Sequence, residues 1–175
     1  MSQNHVAYRW ISLSLLSLLA VGQPAPAQVY PSAGHQPNQS ANALTNQPTD
    51  IVTRFLTAVQ RGDQAQLAAL VAPNIHWSQP GRHRFSGLKK SSQEVFQMVG
   101  IMMEASAGTL RLTDVKPLMV NGNQVACLVH WQAVQPGGGT LDVDNIDVYT
   151  VEDGKLVAAT IFSADLRQED EFWGR

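Results

Sequence analysis

One cysteine, Cys127, stands in the 175 residues, so no disulfide can form within the chain. Set in VACLV, it reads as a small buried hydrophobe and not as a reactive thiol. Charge is sparse: charged residues make up 15% of the sequence, with 12 Lys and Arg against 14 Asp and Glu. No basic run interleaved with aromatics occurs, which argues against a nucleic-acid partner. Also lacking are a Gly-rich phosphate loop, a GxSxG elbow and a Cys/His pairing for nucleophilic catalysis. His76 and His83 are near in sequence, but no paired His/Asp/Glu spacing on one element builds a ligand set. Neither a metal nor a cofactor is expected.

Long apolar runs are missing too, except at the start. WISLSLLSLLAVG (10–22) follows a short polar head containing His5 and Arg9, and Ala25-Pro26-Ala27 comes after it. A membrane span needs roughly 17–25 apolar residues, so this run is too short. Small residues at the two positions a signal peptidase reads make 1–27 a cleavable export signal, with a periplasmic or secreted product. Residues 28–48, QVYPSAGHQPNQSANALTNQP, contain no Asp, Glu, Lys or Arg. They cannot bury enough apolar surface to offset ordering entropy, and so read as a disordered linker. Residues 49–175 remain, the size of one ordinary domain.

What that domain does contain is periodic. Thr49 or Asp50 can cap a helix carrying Ile51, Val52, Phe55, Leu56 and Val59 at helical spacing. Gly62 ends it, and Asp63 caps a second, shorter helix stopped by Pro73. NIHWSQPG suits a short strand, and Arg82–Lys90 an irregular basic loop. Ser91 and Glu94 form a capping box ahead of Val95, Phe96, Val99, Met102 and Met103. The period then becomes two: TLRLTDV, QVACLVHWQAV, LDVDNIDVYTV and KLVAATIFSAD are strands separated by Asn121-Gly122, the Pro136–Gly139 run and Asp153-Gly154. The fold class is α+β, helices packed on one face of an antiparallel sheet. Several strands are apolar on both faces, so the uncovered face is expected to make a homodimer.

Polar residues interrupt that pattern in one place. Odd positions of the strand from Leu141 read Leu, Val, Asn145, Asp147, Tyr149, Val. An unpartnered buried polar group costs about 1–3 kcal/mol, so a strand polar only in its middle suggests the floor of a cavity. His130 and Gln132 share one face of the preceding strand; Val157, Ala159, Ile161, Ser163 and Asp165 share one face of the last. The sheet could bring His130, Asn145, Asp147 and Ser163 to one volume, with Asp147 and His130 as an acid/base pair.

FLTAVQRGD, IHWSQPG, FSG, SSQEVF and NIDVYTVEDGKLVAATIFSAD with EFWG resemble the SnoaL-like branch of the NTF2-like superfamily. That group includes ketosteroid isomerase, polyketide cyclases and limonene epoxide hydrolase. The resemblance covers essentially all of 49–175 and implies a conical α+β barrel, usually dimeric, around a deep apolar pocket. It implies a small hydrophobic ligand, lined by Phe55, Trp77, Gln79, Phe96, Asn145, Tyr149, Ile161, Ser163 and Asp165. Asp147 falls where the oxyanion aspartate of ketosteroid isomerase is expected. Phe55 and Gln79 stand where that enzyme has its tyrosine and its base, so its catalytic set is incomplete. Val129 and Trp131 occupy the Arg and Asp positions of the epoxide hydrolase. A cyclase, isomerase or hydrolase acting through Asp147 stays open beside a non-catalytic carrier or sensor and a protein-interaction module. The closing LRQEDEFWGR is expected to cap the open end or the dimer edge, Phe172 and Trp173 forming the plug and the acidic run solvated.

Overall fold

The computed structural model describes residues 47–116 and 119–174. The expected export signal and nearly all of the linker lie outside the described residues. Helix α1 spans Pro48–Arg61 and begins on proline, not on a capping side chain at Thr49 or Asp50. Pro48 has no N–H to satisfy and its φ is already helical, and the Gln47 carbonyl accepts from Asp50 and Ile51. Gly62, at φ 65°, closes α1 in the left-handed region that favours glycine. Asp63 then accepts from Gln66 N at 3.0 Å and caps α2, Gln64–Leu70.

The sheet begins earlier than the apolar alternation indicates, with β1 at Val71–Gln79. Pro73, expected as the stop of α2, instead lies within the stretch where the β1 register is irregular, a place that tolerates a missing donor. The basic loop contains a short strand, β2 (Gly87–Lys89), and α3 follows at Ser92–Ala105, capped by Ser91. Then come β3 (Arg111–Val115), β4 (Met119–Asn121), β5 (Gln124–Val134), β6 (Thr140–Glu152), β7 (Lys155–Ser163) and α4 (Leu166–Trp173).

Strand order is β2-β1-β7-β6-β5-β3, with β4 also paired to β5. β1 runs parallel to β7, so the sheet is mixed rather than antiparallel throughout. Seventy-five residues separate the two strands, ample for the crossover that parallel pairing needs. The other pairings are antiparallel. The sheet does not close into a barrel; it wraps α1, which touches β3, β5, β6 and β7.

Two apolar cores fill the inner side. The first joins Ile51, Val52, Phe55 and Leu56 of α1 to Val125, Val129, Tyr149 and Ile161 of the sheet. Burying each such aliphatic or aromatic side chain contributes about 1.5–3 kcal/mol. The second sits beside it: Phe85, Met98, Met102, Leu141 and Val143 meet Phe172 and Trp173 of α4. Helix α4 therefore plugs this end of the sheet, as its aromatic pair suggests. Its acidic run is not uniformly solvated, however, because Glu169 is buried at 1% exposure.

Candidate site: a buried polar cluster around Asp147

Strand β6 alternates strictly, and Asn145, Asp147 and Tyr149 all turn inward. Across the sheet Asp147 is level with Cys127 and Ile161, which are buried apolar neighbours. Tyr149 Oη donates to Asp147 Oδ2 at 2.8 Å. Burial pushes the Asp147 carboxyl up to about 7; the Tyr149 donation opposes this, and the nearby Glu169 adds to it. Burial likewise holds the Tyr149 phenol well above its ordinary value, with the Asp147 and Cys127 charges acting the same way. Cys127 is pushed up to about 12 by burial, then by Asp147. At neutral pH the thiol is an inert hydrophobe.

Two further residues join this cluster. Asp165 caps α4 by accepting from Gln168 N at 2.9 Å, and the first turn of α4 carries Glu169 inward. With its amide nitrogen turned toward them, Asn145 donates to Glu169 Oε1 at 3.2 Å and to the Asp144 carbonyl at 2.8 Å. His83, from the irregular loop 80–86, is buried against Glu169, its Nε2 lying 3.7 Å from Glu169 Oε2. That is too long for a hydrogen bond. His83 Nδ1 accepts from Phe85 N at 3.2 Å, which assigns the ring proton to Nε2. Among the described residues, His83 Nε2, Asp147 Oδ1 and Glu169 Oε2 are buried and have no hydrogen-bond partner. The cluster holds two separate bonded pairs, Asn145–Glu169 and Tyr149–Asp147, with His83 beside the first, and it offers both donors and acceptors to a polar group.

The expected partner of Asp147 is elsewhere. His130 faces the opposite side of the sheet, opposite Asp144 in register. Its ring nitrogens lie 2.7 Å from Asp144 Oδ1 and 2.9 Å from Asp142 Oδ1. The acid/base pair with Asp147 is therefore not formed. Ile161 is level with the acid and Asn145 and Tyr149 flank it along β6, while Phe55 meets the Tyr149 ring edge-on at 5.4 Å. Trp77 is half-buried and donates to Gln79 Oε1 at 3.1 Å. Ser163 accepts from Asp165 N, and Asp165 is occupied in capping. Phe96, at 37% exposure, faces outward from α3 and takes no part.

Nor does an open pocket surround the acid. Asp147 is 2% exposed, and the side chains of the first core close over it. A cavity of about 550 Å³ instead lies outside α4, lined by Gly81, Arg82, Leu166, Arg167, Asp170 and Glu171. Another of about 330 Å³ lies between Arg84–Lys89 and α3.

The family model described as a SnoaL-like domain matches residues 52–159. The uncharacterized protein Rv0034 of Mycobacterium tuberculosis is 29% identical over 124 residues, 71% of this chain and 94% of its own length. A Xanthomonas campestris crystal structure with a cystatin-like fold is 40% identical at a TM-score of 0.70, covering 73% of this chain and 98% of that one. Bal32a, from a soil-derived mobile gene cassette, is 26% identical at a TM-score of 0.69, covering 73% and 97%.

Proposed function

We propose, from the premise that the chain belongs to the SnoaL-like domain family, that its inner face binds a small, largely apolar molecule around Asp147. The supporting observation is the set of three unpartnered polar atoms, His83 Nε2, Asp147 Oδ1 and Glu169 Oε2, within an otherwise apolar interior. Each costs about 1–3 kcal/mol where it stands, and a bound polar group would recover that cost. Because the interior is closed, binding requires part of the wall to move. Helix α4 is the element that carries both a wall and a member of the cluster.

A carboxyl near 7 beside a phenol is suited to general acid/base work, so a cyclase, isomerase or hydrolase reaction acts through Asp147 in the enzymatic version. The carrier version keeps the same seat without turnover. Mass spectrometry of extracts from the denatured protein, purified from its native host, tests the seat itself. An apolar compound present in the wild type and lost in Asp147→Leu supports it; equal recovery from both proteins refutes it.

A second reading is favoured by a separate observation. On the outer sheet face Leu128, Ile146 and Phe162 form one register row, with Ile146 and Phe162 at 47% and 55% exposure. A second copy of this chain, exported through the 1–27 segment, covers that row in a homodimer. Sedimentation of the purified protein tests the dimer. Sequencing of the mature N-terminus, expected near Gln28, tests the export.

A further inference from the structure

The gap between His83 and Glu169 has a particular chemistry. His83 Nε2 carries a donor, since Nδ1 is engaged as an acceptor of the Phe85 N–H. Glu169 Oε2 is an acceptor, and the two atoms lie 3.7 Å apart without bonding. An oxygen to one side of that line can be within hydrogen-bond distance of both. Only some groups match such a pair. A hydroxyl both accepts from an N–H and donates to a carboxyl oxygen. An ammonium has nothing to accept with, and a carboxylate has nothing to donate and would face Glu169. No Lys or Arg is buried among the described residues, and the Arg82 and Arg167 that line the outer groove are exposed.

The same pair lies just behind the larger cavity. Gly81 lines that cavity and has φ +82°. A Cβ there would sit 3.4 Å from His83 Nε2 and 2.5 Å from Asp170 Oδ1. The bare Gly81 backbone is thus the thin wall between the groove and the pair, and Asp170 of α4 is its other side. Loop and helix are tied by main-chain donors: Arg82 N to Asp170 Oδ1 at 2.6 Å and Arg84 N to the Gly174 carbonyl at 2.8 Å. Phe85 also meets the Trp173 ring edge-on at 5.5 Å, so parting loop from helix means breaking these two ties and sliding that aromatic contact of the second core.

We propose that an uncharged ligand enters between Gly81 and α4 and seats a hydroxyl group between His83 Nε2 and Glu169 Oε2. This deepens the proposed function and rests on the interior being a ligand seat. An alcohol or phenol on an apolar frame is the ligand class. Glu169 and His83 are its specificity-determining residues, and the groove is its approach.

The test uses the full chain labelled with ¹⁵N-histidine, titrated with phenol, toluene and benzoate as probes. Phenol is expected to move the His83 Nε2 resonance and to bind about tenfold more tightly than toluene, the advantage of its added hydrogen bonding. Benzoate is expected to bind more weakly than phenol. In Glu169→Leu the advantage of phenol over toluene should disappear; if that variant does not fold, the wild-type His83 shift still decides. Equal binding of phenol and toluene, or an unmoved His83 resonance, overturns hydroxyl recognition and leaves an apolar seat intact. Benzoate matching phenol overturns it as well. Failure of both phenol and toluene to bind removes the seat along with it.

Discussion

Tyr149 Oη donates to Asp147 Oδ2 at 2.8 Å, from two residues further along the same face of β6. Neighbouring inward positions of one strand thereby satisfy each other, and only Oδ1 of the acid is left over. The bond matters more when the carboxyl is charged. Tyr149→Phe should therefore destabilise the domain by about 1–3 kcal/mol, with the larger loss at pH 8 than at pH 5. Urea unfolding at the two pH values measures this; equal losses would show that the phenol does not report on the acid.

Asp147 itself sets a pH dependence whose sign follows from its raised value. The folded state holds this proton up to about 7, whereas an ordinary carboxyl releases it near 3.8. Between those values the native state binds more protons than the unfolded one, so stability is full below about pH 4 and falls as pH rises to about 7. The total change is roughly 4 kcal/mol at most. Asp147→Asn should flatten that segment of the profile and be more stable than the wild type at pH 8. Denaturation midpoints across pH 4–8 measure it.

Gly81→Ala should be poorly tolerated. A Cβ at φ +82° is strained, and it would also meet Asp170 Oδ1 at 2.5 Å. We expect a loss of about 1–3 kcal/mol. Hydrogen exchange should show it first in α4, because Asp170 is the residue displaced. Protection loss spread evenly over the sheet would contradict that placement.

On the outer face, Ile146→Asp puts a charge into the Leu128–Ile146–Phe162 row beside Asp144. A homodimer formed through this row should dissociate to monomers in light scattering, while circular dichroism is unchanged because the position is solvent-facing in the single chain. His130→Ala, between Asp142 and Asp144, is expected to leave Asp147 titration as it is, since the two side chains lie on opposite faces.

Much of this was legible in sequence, and the limits were physical. Period-two alternation placed Asn145, Asp147 and Tyr149 together correctly, because side-chain alternation is a property of one strand. Pairing between strands is not. His130 could be assigned a face only by knowing that Cys127 is opposite Asp147; the all-apolar odd set Val125, Cys127 and Val129 was the available hint. The parallel β1–β7 contact was equally hidden, since nothing local in either strand encodes direction. Glu169 had a signal: it lies three and four residues before Phe172 and Trp173, the spacing of one helical face. His83 had none, for an irregular loop has no period from which to infer inside and outside.

The alternation in β6 also constrains how this protein can change over generations. Its inner side bears the acid and phenol, while its outer side bears Asp142, Asp144 and Ile146. Inserting a single codon mid-strand would exchange these sets downstream, burying surface carboxylates and expelling Asp147 or Tyr149. Length variation among descendants should accordingly collect in the Gln135–Gly139 turn, or arrive in the strand two residues at a time.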